Sequence, residues 1–332
     1  MQTLAIKSSL KMRKIKNTPI KRSHCIMSKL ISMRQRIKAI ETIKKVTHTM
    51  QLISMSTHTQ LKKKQAQLTQ YVQSIECTYK QILSRYLNTN YSQAEEKNPT
   101  TSILLVVIGS QKGLCGNFNS MLLSHINADP YLAANREKIA CIAVGQKIIN
   151  EIKTKTKLTP ILTYNKLTYN TFSTITEDII EHINNTVPVY TDILVWSNRP
   201  KTFFLQKPHA TFLLSSGHTT QTTDTDSTAL DPNSMPDASA YRQNPHETWG
   251  EKDYITEQPP HEIINFLKKQ LCEAQLEMLL FESLLAEQAS RFVSMDSATR
   301  NAKNMLDDLT LQFNKIRQAK ITKELSELIG SF

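Results

Sequence analysis

Two stretches without a single proline or glycine, residues 28–98 and 261–329, stand at opposite ends of this 332-residue chain. No β fold uses runs of that length, and the residues in them (Lys, Gln, Leu, Ile, Met) cost little in a helix. In the first stretch, apolar residues recur at helical spacing: Leu30, Met33, Ile37, Ile40, Ile43, Val46, Met50 and Ile53. They continue as Leu61, Leu68, Val72, Ile75, Tyr79, Ile82 and Tyr86. This is a narrow stripe on a helix. About 60 residues at 1.5 Å each make a rod of roughly 90 Å, too long to bury itself in a small domain. It needs a partner helix.

The second stretch supplies one. Its seam runs Leu267, Leu271, Ala274, Met278, Phe281, Leu285, Gln288, Phe292, Met295, Thr299, Ala302, Leu306, Leu309, Phe313, Ile316 and Lys320. The four-three alternation never slips, which predicts a left-handed coiled coil. Two such helices at the ends of one chain pair most simply antiparallel. A four-helix bundle would join shorter helices by short loops, and the intervening segment is too long for that. A homodimeric zipper is weakened by the polar seam members Gln288, Thr299 and Lys320, which instead suit a rod whose faces meet other proteins.

Between the helices the pattern changes. ILLVVI at 103–108 is a buried-strand run ending in GSQKGLCG at 109–116. A helix is expected over 119–126, a strand at 139–144 with a helix behind it, a weaker strand at 161–164, a helix at 172–184, and strands at 193–196 and 210–214. Alternating strands and helices predict a small parallel α/β sheet. The expected fold class is therefore α/β with long helices: an antiparallel coiled coil of the terminal helices plus a small Rossmann-like α/β domain. The expected parts are a basic extension over 1–27, an N-terminal coiled-coil helix over 28–98, the α/β domain over 99–215, a polar insertion over 216–260 and a C-terminal helix over 261–332. The insertion is rich in Thr, Ser, Asp, Asn and Pro without periodicity, which predicts disorder.

Hydrophobic residues make up 39% of the chain and aromatics 7%, lean for one large globule. The formal charge is +12, and residues 1–27 carry seven Lys and Arg and no acid. That stretch reads as a targeting segment, a disordered arm, or sequence upstream of a true start at Met27. The cysteines Cys25, Cys77, Cys115, Cys141 and Cys272 are scattered and odd in number, so neither a disulfide framework nor a zinc site is expected. No apolar run approaches the roughly 20 residues that span a bilayer.

The glycine cluster sits after a strand and before a helix, where phosphate loops sit. Yet Gly116 is followed by Asn117, not Lys and Ser or Thr, and G-x-G-x-x-G also fails. Gly113 and Gly116 read best as a tight turn needing positive φ. No catalytic constellation emerges. His48 and His58 lack a metal-spaced partner, and the pairs Asp307-Asp308 and Glu95-Glu96 point to different helix faces. No cofactor or metal is expected. The basic residues Arg34, Arg36, Lys38, Lys44 and Lys45 lack aromatic interleaving, which argues against nucleic acid.

Three segments resemble the gamma subunit family of F-type ATP synthases. KVTHTMQLIS at 45–54 is similar to the family's K-I-T-K-A-M-x-M-V-A. KGLCGNFN at 112–119 is similar to R-G-L-C-G-x-x-N. ESLLAEQASRFVSM at 282–295, with FNKIRQAKITKEL at 313–325, resembles L-A-S-E-Q-x-A-R-M-x-A-M and Y-N-K-x-R-Q-A-x-I-T-x-E-L. The match covers 28–330 in the family's order and spacing. The resemblance implies a non-catalytic central-stalk rotor that couples proton-driven rotation of a membrane ring to ATP synthesis on beta subunits. It implies three alpha and three beta subunits, an epsilon subunit and the membrane c-ring as partners, with no nucleic acid. The implied location is peripheral to the membrane, on the cytoplasmic face of a bacterial inner membrane or the matrix side of the mitochondrial one. By motif match, Arg317, Gln318 and Thr322 would meet the beta loop that grips the shaft, and Met50 and Arg291 would face the beta lever region. The chain departs from the family at Ile53, Ser54, Met55 and Ser56, at Thr57, in the 1–27 extension and in the long polar stretch. The competing expectations are an α/β nucleotide-binding protein with coiled-coil arms and a nucleic-acid-binding coiled coil.

Overall fold

A computed structural model describes residues 19–87, 102–156, 158–186, 190–214 and 259–330. Residues 1–18 and 88–98, and nearly all of the polar stretch expected at 216–260, lie outside the described residues. The elements in chain order are α1 (Pro19–Leu87), β1 (Ile103–Ile108), α2 (Phe118–Ala128), α3 (Pro130–Ala134), a 3-10 turn (Arg136–Lys138), β2 (Ile139–Val144), α4 (Gln146–Lys155), β3 (Pro160–Tyr164), α5 (Phe172–Asn185), β4 (Asp192–Pro200), β5 (Gln206–Leu214) and α6 (Pro260–Ile329). Helix α1 starts at Pro19, inside the stretch expected to be a basic extension. Pro at a helix start is no defect, because the N–H it lacks would have no helical partner there.

The chain divides into two compact units, Met1–Gln51 with Met295–Phe332, and Leu52–Ser294. In the first unit α1 and α6 pair antiparallel. Arg34 lies over the Phe313 ring at 5.8 Å from its centroid. Thr299 donates to the Thr47 hydroxyl at 2.9 Å, and Gln51 donates to Asp296 at 3.0 Å. Numbers that rise along α1 meet numbers that fall along α6. On α6 the expected seam holds: Ala302 is buried, and Leu306, Leu309, Phe313, Ile316 and Lys320 are half-buried among exposed neighbours.

On α1 the expected stripe is corrected. Leu30, Met33, Ile37 and Ile40 do face inward, but Ile43, Val46, Met50 and Ile53 are between 37% and 53% exposed. The positions turned inward are Lys44, Thr47, Gln51, Ser54 and His58, leading on to Leu61, Leu68, Val72, Ile75 and Tyr79. The physical reason is phase. The four-three rhythm set by Leu30–Ile40 and resumed at Leu61 is unbroken, and between them the apolar residues fall one position ahead of it. This stretch of α1 is polar on its inner seam and apolar outside.

The second unit is built on a five-stranded sheet in the order β3-β2-β1-β4-β5. β1, β2, β3 and β4 are parallel, and β5 returns antiparallel to β4. The expected all-parallel sheet is thus mixed. Residues 201–205 are too few for the helical crossover that a parallel partner needs, so β4 and β5 form a hairpin. β1 is buried on every residue, as a central parallel strand covered on both faces must be. On one face Leu104, Val106, Ile108, Ile142 and Ile193 pack against α5 (Ile175, Ile179) and α6 (Leu276, Leu280, Phe281). On the other, Leu105, Val107, Cys141 and Trp196 pack against α2 (Leu122, Ile126) and α4 (Ile148, Ile152). Helix α6 therefore serves as a sheet-covering helix in this unit, and Cys272–Ser294 is buried or half-buried at every residue.

One ion pair ties β4 to α6. Arg199 Nε lies 3.2 Å from Glu282 Oε2, yet the geometry leaves both atoms without a hydrogen bond. Burial raises the Glu282 carboxyl above its ordinary range, and Arg199 only partly opposes this. A carboxyl whose folded pKa is raised favours the folded state at low pH and loses that contribution as pH climbs through the folded value. Glu282→Gln is accordingly expected to gain stability relative to the unchanged chain as pH rises above the ordinary carboxylate range. The check is thermal melts across pH 4 to 8, read as the difference between the two proteins.

Candidate functional site

The glycine cluster lies at the carboxyl end of β1. Gly109 is required there because a Cβ would come within 2.4 Å of Ile148 Cβ on α4. The chain then turns away from the sheet toward α6, with Leu114 at φ 67° and Gly116 at φ 60°. Gly116 fulfils the expected positive-φ turn. Gly113 does not, and Leu114 takes that conformation instead.

What holds this loop is a buried pair on α6. The Glu287 carboxylate accepts from the backbone N–H of Gln111 at 3.1 Å and of Lys112 at 3.3 Å. Arg291, one turn on, is paired with Glu287. Its guanidinium donates to Gly113 O at 3.3 Å, to Lys112 O at 3.5 Å and to Cys115 Sγ at 3.2 Å. Ser290 Oγ donates to Cys115 O at 2.8 Å. Glu287 is 2% exposed and Arg291 6%. Two successive backbone N–H groups aimed at one point form an anion nest of the kind phosphate loops use. Here the anion is internal: the Glu287 carboxylate fills the nest and Arg291 neutralises it.

The crevice where ligands enter open α/β sheets, between the carboxyl ends of β1 and β4, is also filled. Asn119 accepts from Ser110 N at 3.0 Å and donates to Ser110 Oγ at 2.8 Å and to Glu151 at 3.3 Å. Asn198 donates to Phe118 O at 3.3 Å. The Cys115 thiol is pushed up to about 12 by burial, against the pull of Arg291, so it is no nucleophile at neutral pH. Among the described residues no group of His, Cys, Asp and Glu is placed to hold a metal ion, and no helix is long and apolar enough to cross a membrane.

The residues expected to meet beta subunits fall into two classes. Met50 is exposed on α1, in line with exposed Ile43 and Val46. Arg317, Gln318 and Thr322 are exposed on α6, with Thr322 Oγ1 donating to Gln318 O at 3.0 Å. Gln318 also borders an open groove with Leu306, Thr310, Leu311 and Asn314. Arg291 differs: its guanidinium is turned inward onto the glycine loop. Sequence reasoning gave Glu287 no role. The available signal was a Glu and an Arg four apart inside the apolar stretch 278–295, where a charged pair is buried only if something satisfies it.

Comparison with known proteins gives a consistent result. A family model described as ATP synthase matches residues 29–332. Curated relatives named ATP synthase gamma chain include that of Clostridium perfringens, 27% identical over 91% of this chain and 96% of the relative. The Rickettsia bellii chain of the same name is 28% identical over 92% and 98%. Among solved structures, a chain of the Euglena gracilis mitochondrial ATP synthase (OSCP/F1/c-ring) is 16% identical with a TM-score of 0.56, covering 92% of this chain and 93% of that one. A chain of the rotor of the same assembly gives 0.54 at 15% identity, covering 89% and 99%. The structures agree in fold, the family model takes in both long helices and the sheet between them, and the chain therefore belongs to the ATP synthase gamma chain family.

Proposed function

We propose that this chain is the central shaft of a rotary ATP synthase, turning inside a ring of three alpha and three beta subunits and coupling proton-driven rotation to ATP synthesis on the beta subunits. The observation that carries this reading is the inverted stretch of α1. Ile43, Val46 and Met50 face outward while Lys44, Thr47 and Gln51 face the partner helix. An exposed apolar stripe on a rod marks a surface that another protein covers, and a polar seam keeps the helix pair from being a self-sufficient zipper. Arg317, Gln318 and Thr322, exposed on α6, supply polar contacts for a beta loop, and Met50 supplies an apolar one. Arg291 supports the same end indirectly, by holding the glycine loop.

The partners in this reading also include an epsilon subunit and the membrane c-ring. The chain is peripheral to the membrane, and its bacterial relatives favour the cytoplasmic face of a bacterial inner membrane. It carries no catalytic site of its own. The nucleotide-binding alternative loses its main support, because Glu287 occupies the anion nest that a phosphate would need.

The test is reconstitution of the full chain with matching alpha and beta subunits, followed by ATPase assay. The unchanged chain is expected to give a stable active complex. Arg317→Ala with Gln318→Ala is expected to lower its turnover about tenfold, an activation cost of about 1.4 kcal/mol. Absence of any complex, together with nucleotide binding by the isolated chain, would overturn the shaft reading.

A further inference from the structure

The end of β1 and the loop after it are bonded to α6 by hydrogen bonds that land between Ser283 and Arg291. Arg199 and Glu282 add an ion pair at 3.2 Å that lacks hydrogen-bond geometry. Ser283 Oγ donates to Ile108 O at 3.5 Å. The loop after β1 is held by Glu287, Arg291 and Ser290. Contacts of the same unit with α1 are of another kind. Leu61 joins the apolar cluster, Lys64 sits over the Tyr169 ring at 3.4 Å, and the Phe203 ring stands edge-on to His58 at 4.8 Å. Apolar burial is non-directional, and ring and cation–ring contacts act over a range of several ångströms, so these contacts resist displacement less. Hydrogen bonds and forked guanidinium contacts weaken steeply when their angles change, so they resist shear.

A buried charged pair is a poor way to gain stability, since apolar residues of similar volume often do as well or better. Its presence at the one place where the loop meets α6 calls for another reason. We infer that Glu287 and Arg291 are positioning residues that key the sheet to α6, so that force applied to the sheet enters the C-terminal helix through this clasp. This rests on the shaft reading and specifies where torque passes within the chain.

The experiment uses the full complex in membrane vesicles, measuring ATP hydrolysis and ATP-driven proton pumping on the same preparation. Glu287→Leu with Arg291→Met removes both charges together and leaves neither buried alone. The ratio of pumping to hydrolysis is expected to fall in this variant, whatever its hydrolysis rate. A covalent tie then tests the cause. A Cβ built at Gly116 lies 3.8 Å from Ser294 Cβ, within the usual Cβ separation of a disulfide. Adding Gly116→Cys and Ser294→Cys to the variant is expected to restore the ratio on oxidation and lose it again on reduction, with the same cysteine pair in the otherwise unchanged chain as the control for a side chain at φ 60°.

A merely structural role lowers hydrolysis and pumping in proportion to the complex assembled and leaves their ratio alone. That result, an unchanged variant, or a loss that oxidation does not restore would each overturn the clasp. If the double variant yields no complex, Arg291→Lys is read the same way, because it keeps the charge but not the fork. Failure of the unchanged chain to pump at all would instead overturn the shaft reading, so the two failures are distinguishable.

Discussion

Arg291→Ala is expected to lower the unfolding free energy of the isolated chain by about 3–5 kcal/mol. The loss follows from what is left behind. Glu287 is 2% exposed, and without Arg291 its carboxylate keeps two backbone N–H donors but loses its counter-charge in a site water does not reach. The loop also loses its donors at Lys112 O and Gly113 O, and unsatisfied buried acceptors add to the cost. Urea unfolding followed by circular dichroism measures this directly, with the midpoint as readout and the slope as a check that the transition keeps its size. Glu287→Leu with Arg291→Met is expected to lose much less, because no lone charge remains. If the single and double variants lost the same amount, the cost would lie in the loop's hydrogen bonds and not in the orphaned charge. The comparison therefore separates electrostatics from loop tethering at one site.

The coarse architecture was legible because each part carries a signal that survives without context. ILLVVI at 103–108 is apolar on every residue, which only a strand covered on both faces tolerates. The α6 seam from Ala302 to Lys320 keeps its register because nothing but α1 competes for it within its unit. The phase of α1 was not legible from apolar residues alone. Between Ile43 and Ile53 they mark the outer face, and only the frame set by Leu30–Ile40 and Leu61–Tyr79 identifies Lys44, Thr47 and Gln51 as the inner one. The direction of β5 was hidden because the expected strands at 193–196 and 210–214 left a long gap between them, whereas the strands run on to Pro200 and from Gln206 and leave only 201–205. The positive φ expected in the glycine loop is present at Gly116, yet the carboxylate that fills the loop stands 175 or so residues away in sequence. Pairings of that separation leave no periodic trace. What the sequence did offer was the Glu-to-Arg spacing of four on α6, which reads as a surface pair until burial is known.

Gly145→Ala is expected to be among the most damaging single-methyl additions in the chain, costing about 3 kcal/mol or more. Two effects coincide there. The residue sits at φ 111° and ψ 124°, immediately before α4, a conformation that L side chains rarely adopt and that carries about 1–3 kcal/mol of strain. A Cβ would also lie 2.6 Å from Gly109 O and 2.8 Å from Ser110 O. These are backbone atoms and cannot swing aside as a side-chain end can. Nor can Gly145 retreat, because its own N–H is held by Tyr164 O at 2.7 Å. Relief must come from moving the start of the glycine loop, which leads straight to the groups that Glu287 and Arg291 hold. Gly113→Ala is the matched comparison. Its Cβ meets nothing nearer than Lys147 Cε at 3.5 Å, an ordinary contact, and the change is expected to stay within about 0.5 kcal/mol. Thermal melts of the two variants side by side decide the point. A large drop for Gly145→Ala alone means that the loop is fixed by the close approach of the β1 and β2 ends. Equal drops would mean that flexibility at Gly113 itself is what the loop requires, and the close packing at Gly145 would then be incidental.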